Sequence, residues 1–307
     1  MTVTTFDGNL LTDEIAIVRM ENDFLQLDVA PGVGGRVVTL VEKSSNYQFL
    51  WHNAALKLEK LEPGAAYDPN FYGAIDELLP NDIPETVNGV AYPDHGELWT
   101  LALDYHVDGE QLILSGELPL SGLRYERRMR LAPDSPRLHM GYRLGNVSGA
   151  RREFLWKLHA ALKIGPGDRI VCPAQRAVVG DPAYSRWSRT QPFEWPHVEG
   201  KRADIMPEKD GTMDFLYLYD LEQGQVAWEN AAGNLTFRYE FDLDVFPCAW
   251  LFASFGGFEG HYMAILEPCT SMPISVVEAA KLGQCSVLEA GQTLETQVTI
   301  YAGPIRQ

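Results

Sequence analysis

Apolar residues recur at every second position in run after run of this chain. The stretch "LRYERRMRL" sets Leu123, Tyr125, Met129 and Leu131 against Arg124, Glu126, Arg128 and Arg130. "RLHMGYRL" alternates Leu138, Met140, Tyr142 and Leu144 with polar or small neighbours, and "WTLALDYHV", "LTFRYEFDL" and "LETQVTIY" repeat the pattern. A period of two is the mark of a strand with one buried face, whereas a helix shows a period of 3.6. Turn-forming stretches such as "VDGEQ", "APDSP" and "EAGQ" lie between the runs. Only "AALKLEKLE" and "SVVEAAKLG" read as helix, each about two turns long. The expectation is an all-β protein, a large antiparallel β-sandwich. No tandem repeat or low-complexity linker divides the chain, which reads as a single domain over 1–307. Residues 173–210, rich in Pro, Trp, Arg and Glu, read as a long excursion beside a site, either a lid or a partner surface.

The bulk numbers exclude some partners. A hydrophobic content of 46% provides material for a core, and a net charge of -17 disfavours nucleic acid and anionic membrane surfaces. No apolar run approaches the ~20 residues that span a bilayer. The N-terminal "MTVTTFDGNLLTDE" lacks the basic start and apolar stretch of a secretory signal, so a cytoplasmic location is expected. The four cysteines, Cys172, Cys248, Cys269 and Cys285, form no CxxC pair and read as free thiols. The sequence sets no oligomeric state.

Three segments carry chemistry. In "FLWKLHAALKIGPGDRI" a strand puts Leu155, Lys157 and His159 on one face. A lysine is seldom buried without a partner, so that face opens either on a polar cavity or on bulk solvent. In "HYMAILEPCTSMP" the same period groups His261, Met263, Ile265 and Glu267. Glu267 is either a solvated strand end or a desolvated carboxylate, better able to accept a proton. In "YPDHGELWT", Gly96 permits a sharp bend beside His95, and Trp99 is either core or a platform for a sugar face. Asp94, His95 and Glu97 offer metal-ligand chemistry, but without an HxH or HExxH pattern the reading is no metal.

Taken in order, these segments resemble the aldose 1-epimerase (galactose mutarotase-like) family. The resemblance rests on "PGVGGRVVTL", "DHGELW", "LHAALKIGPGD", "AILEPCTSMP" and "VLEAGQTLE", and it spans nearly the whole chain. It implies a sugar site on a β-sandwich. Glu267 matches the family's general base, His159 its general acid and His95 its substrate-holding histidine. The implied reaction interconverts the α and β anomers of a free aldose, with no metal, nucleotide or other cofactor. Well-known members carry an arginine before the "HG" segment; here that stretch reads "YGAIDELLPNDIP". Asp76 and Glu77 are therefore expected to hold sugar hydroxyls, with Trp99 stacking and Lys157 pointing along the sugar, and the stereochemical preference is expected to differ. The acidic segment argues against a sugar phosphate, and the arginines between Arg124 and Arg130 read as a solvent face. Three other readings remain open. One is a carbohydrate-binding or sensing protein without turnover. Another is a glycoside hydrolase or lyase with Asp76 or Glu77 opposite Glu267. The third is a regulatory partner with a decayed site.

Overall fold

The alternating runs become strands, and the strands pair antiparallel into two large sheets, in the computed structural model, which describes residues 2–6 and 15–305. One sheet has 12 strands and the other eight. Through the middle of the larger sheet run, in spatial order, Arg36–Glu42, Ile75–Leu78, Lys157–Lys163, Tyr262–Cys269, Cys248–Phe255 and Thr212–Leu221. Thr293–Pro304, Arg137–Asn146 and Leu123–Leu131 lie side by side in the smaller one.

The period of two decides what each face of the larger sheet does. Leu158, Ala160 and Leu162 enter the main core between the sheets, as do Ala264 and Leu266 of the next strand, and Ala249, Leu251 and Ala253 of the one after. The opposite face is covered as well. Leu78, Ala161, Met263 and Ile265 belong to one smaller apolar cluster there, and Phe215, Tyr217, Trp250 and Cys269 to another. A strand covered on both sides needs no strict alternation, which is why "KLHAALK" reads as a nearly continuous apolar run. Lys157, His159 and Glu267 emerge on this second face.

Register aligns the polar residues across the sheet. Asp76 pairs with His159, Glu267 with Trp250, and Trp250 with Tyr217. Lys157 pairs with Cys269 and Ala160 with Leu266, so His159 falls opposite Glu267. Asp76, His159, Glu267, Trp250 and Tyr217 thus form one transverse row on one face, and directly opposed neighbours carry Cβ atoms roughly 5 Å apart.

A polar bridge ties the sheets together. Glu77, on the inner face, accepts hydrogen bonds from Arg127 Nη1 (2.7 Å), Tyr125 Oη (2.9 Å), Tyr142 Oη (2.9 Å) and Trp156 Nε1 (3.1 Å). Arg127 Nη2 also donates to the Gly35 carbonyl. All these groups are buried, so the carboxylate exchanges water for donors on two strands of the smaller sheet and the Trp156 indole. Arg127 corrects the solvent-face expectation for this strand. Arg124, Arg128 and Arg130 are exposed, but Arg127 holds the inward position between Tyr125 and Met129.

Three other expectations change. The residues of "AALKLEKLE" form no helix: too short to sustain one alone, they lie extended with Leu58 buried and Leu56 and Leu61 against apolar clusters. "WTLALDYHV" is not one strand. Trp99 sits in the 3-10 turn Leu98–Thr100, Leu101 and Leu103 exchange backbone hydrogen bonds with Gly34 and Pro31, and the strand starts at Asp104. The 173–210 excursion opens with the strand Ala174–Val179 and buries Trp187 and Trp195 in the main core. By contrast, "SVVEAAKLG" does contain the helix Val276–Lys281, capped by Ser275 Oγ accepting from the Glu278 amide. All four cysteines are free thiols, and among the described residues no helix is long and apolar enough to cross a membrane.

Removing one partner of the buried bridge leaves the other charge unpaired. Arg127→Met is expected to cost about 3–5 kcal/mol in urea unfolding. Arg130→Met, at the exposed end of the same strand, should stay within about 0.5 kcal/mol. Equal effects of the two would contradict the bridge.

Candidate functional site

Lys157, His159 and Glu267 stand on adjacent strands and line a cavity of about 330 Å³ on the outer face of the larger sheet. Each is nearly sealed: Lys157 is 4% exposed, His159 3% and Glu267 2%. Burying charge at this depth is costly unless every charge finds a partner, and two groups of contacts provide them.

The first group orients His159. Its Nδ1 lies 2.9 Å from Asp76 Oδ1. Asp76 Oδ2 accepts from Arg36 Nη2 (2.9 Å) and from Tyr67 Oη (2.9 Å). Burial would push the Asp76 carboxyl up, but the Arg36 and His159 charges outweigh it and hold Asp76 below the usual carboxylate range. An ionised carboxylate only accepts hydrogen bonds, so Nδ1 carries the proton and Nε2 is the atom left for a ligand. Nε2 makes no hydrogen bond among the described residues.

The second group surrounds Lys157. Its ammonium contacts Asp82 Oδ1, lies 2.8 Å from Glu267 Oε2, and sits over the Trp250 ring, 4.7 Å from its centroid. Burial alone would lower the lysine's pKa; the two carboxylates outweigh it and raise it above its ordinary value. Asp82 is held below the usual range in turn, burial opposing and Lys157 prevailing. The approach to Asp82 Oδ1 and Glu267 Oε2 is oblique, an ion contact without a directed hydrogen bond.

The third wall is the turn that carries His95. Gly96, at φ +77°, bridges to Leu79, and a Cβ there would meet the Leu79 carbonyl oxygen at 2.2 Å. Only glycine lets the turn dock so closely. The His95 amide then donates to the Asp82 carbonyl (2.7 Å), and His95 itself takes a left-handed φ of 56°. Its ring stacks on Tyr67 with centroids 4.0 Å apart and planes 8° from parallel, and Nδ1 lies 2.8 Å from Asp94 Oδ1. Glu97 turns away and accepts from the Leu120 and Ser121 amides. Among the described residues no group of three His, Cys, Asp or Glu side chains is placed to hold a metal ion.

Residues 6–92 match a family model described as a domain of unknown function (DUF5107). Solved structures match over the whole fold. A "putative aldose 1-epimerase" from Klebsiella pneumoniae is 15% identical with a TM-score of 0.74, covering 99% of this chain and 84% of that one. Another so described, from Escherichia coli, is 17% identical with a TM-score of 0.72, covering 94% and 99%. A galactose mutarotase-like protein from Clostridium acetobutylicum is 15% identical with a TM-score of 0.70, covering 98% and 99%. The fold is galactose mutarotase-like.

On this galactose mutarotase-like sheet the expected site residues divide. Glu267, His159, Lys157 and His95 come together around the cavity. Asp76 lies in the same row but behind His159, committed to Arg36 and Tyr67, and is not among the residues that line the cavity. Glu77 points the other way, into the bridge between the sheets, because neighbours on a strand face opposite sides. Trp99 is no stacking platform: it is 2% exposed and meets Tyr67 edge-on at 5.0 Å, backing the wall. Lys157 is clamped by carboxylates rather than laid along the cavity. The unexpected members are Asp82, Tyr67 and the rings Phe71, Phe215, Phe252 and Phe258. The one sequence signal for Tyr67 and Phe71 is the aromatic cluster of "AAYDPNFYG", where Asp68–Asn70 forms a single 3-10 turn.

The charges set the pH response. Asp76 and Asp82 are held low, so their contribution to stability is present above about pH 4 and lost as pH falls through their folded values. Lys157 is held high, so its contribution is present below about pH 10 and lost as pH rises through its folded value. Lys157→Met leaves two buried carboxylates without their cation. It should cost about 3–5 kcal/mol at neutral pH by urea unfolding. That difference should shrink on acidification below about pH 4, where the carboxylates take up protons. A pH-independent difference would contradict the ionic arrangement.

Proposed function

We propose that the cavity binds a free aldose and interconverts its anomers by acid–base ring opening, an aldose 1-epimerase type of reaction. The carrying observation is the transverse row. A histidine fixed at Nδ1 and a buried glutamate stand side by side on one cavity floor, both lining the cavity and with Nε2 left for a ligand. The row supplies one acid and one base within the reach of a single pyranose.

Glu267 takes the proton from the anomeric hydroxyl as the C1–ring oxygen bond breaks, leaving an aldehyde. His159 gives its Nε2 proton to the ring oxygen. Rotation about C1–C2 presents the other aldehyde face, and the same groups return the protons in reverse roles on closure. Asp76 stabilises the imidazolium that donates, and Arg36 keeps Asp76 from taking the proton itself. Lys157 keeps Asp82 as partner while Glu267 carries a proton. His95 and the aromatic rings position the sugar.

A second reading draws support from the Lys157–Glu267 contact: a carboxylate already engaged by an ammonium at 2.8 Å suits binding without turnover. A hydrolase reading loses its partners, since Asp76 and Glu77 are each engaged by an arginine away from the cavity.

One-dimensional saturation-transfer NMR on a panel of free aldoses distinguishes the first two. Wild-type protein should accelerate anomer exchange, and Glu267→Gln or His159→Ala should lose ~10²–10⁴-fold in rate. Binding with no exchange for any aldose would establish the binding protein instead.

A further inference from the structure

We propose that the sugar carries a protonated amine, held through its ammonium by carboxylates at the cavity mouth. This rests on the reading of the cavity as an aldose site and names the substrate class it selects.

The carboxylates of Asp68, Asp82, Asp94, Asp181 and Glu267 line the cavity, and no arginine does. The fixed cation, Lys157, is already shared by two of them. The acids are graded in depth: Asp82 and Glu267 are buried, Asp94 and Asp181 half-buried, and Asp68 exposed. At the mouth Asp94 is bonded to His95 and to the Tyr67 amide, and Asp181 caps the turn Pro182–Tyr184. Asp68 makes no side-chain hydrogen bond or ion pair among the described residues. Although the residue is exposed, partial desolvation of its carboxyl pushes it up, against the opposing pull of His95, and the charges of Asp94 and Asp82 push it further. A cation at the mouth relieves that repulsion.

Two further features point to a ligand. Six aromatic rings line the same cavity, those of Tyr67, Phe71, Tyr184, Phe215, Phe252 and Phe258, and aromatic faces attract cations. On the floor, His159 is buried and lines the cavity, yet its Nε2 makes no hydrogen bond among the described residues. A sugar spanning the cavity satisfies both levels, its hydroxyls donating to the floor and its ammonium facing Asp68, Asp94 and Asp181. A phosphorylated sugar meets like charge at the mouth, and a neutral one leaves the mouth acids without a counter-charge.

The test pairs calorimetric binding with anomer exchange for glucosamine, galactosamine, mannosamine, their N-acetyl derivatives, the parent hexoses and a glucose phosphate. It is run at a pH where the amines are protonated. At least one free hexosamine should bind roughly tenfold tighter than its N-acetyl derivative and its parent hexose. Added salt and the Asp68→Asn/Asp181→Asn variant should each erode that preference. Selective hexosamine binding without exchange would support this inference and remove only the turnover reading. Equal or tighter binding of neutral, acetylated or phosphorylated sugars would overturn the inference and leave the aldose site standing. No binding by any sugar would overturn both.

Discussion

Two adjacent carboxylates on one short strand govern this molecule. Asp76 and Glu77 are both about 2% exposed, and the strand Ile75–Leu78 forces them to opposite faces of the larger sheet. Glu77 meets Arg127 and two tyrosines from the smaller sheet, so the two layers are tied by a satisfied polar network as well as by apolar packing. Asp76 meets Arg36 and fixes the histidine of the site. A one-residue slip of this strand would exchange the two faces, leave Arg127 without its carboxylate and deprive His159 of its orienting partner.

The same periodicity explains what the sequence made legible. It grouped Lys157 with His159 and Ile265 with Glu267, and these four line one cavity. It also placed Leu123, Tyr125, Met129 and Leu131 on an inner face, as found. What it left open was which long-range partner each charge would find. Arg36 and Asp76 lie 40 positions apart, and Glu77 and Arg127 lie 50 apart. Neither pairing follows from local pattern, because both depend on how strands are ordered in the sheets. Trp99 failed for a related reason. Its run alternates like a strand, but backbone bonds to Pro31 and Gly34 hold it in a turn behind Tyr67.

The site was therefore readable in its strand-borne members and not in those delivered by loops. Tyr67, Asp82 and His95 arrive from loops whose positions are fixed by contacts rather than by period. The Gly96 turn docks on Leu79, the His95 amide reaches the Asp82 carbonyl, and the Tyr67 amide donates to Asp94. These three contacts bring the loops together over a floor that the sheet already sets. Strands hold Lys157, His159 and Glu267, while loops supply walls and charge at the mouth, a division that permits changes in the walls without rebuilding the floor.

Lys157 shows where stability and chemistry oppose each other. Its ammonium neutralises two buried carboxylates, which the fold requires, yet the same contact occupies the carboxylate that the proposed reaction uses as its base. In the proposed reaction Asp82 resolves part of this opposition, because it would retain the lysine when Glu267 takes a proton, so no cation would be stranded during transfer. It also sets two carboxylates against one lysine, and the acidic lining extends outward through Asp94 and Asp68. In a chain whose net charge is -17, such a gradient draws cations inward and keeps anions out. In the proposed site, the acid that stabilises the lysine is thus also part of the charge that a ligand meets.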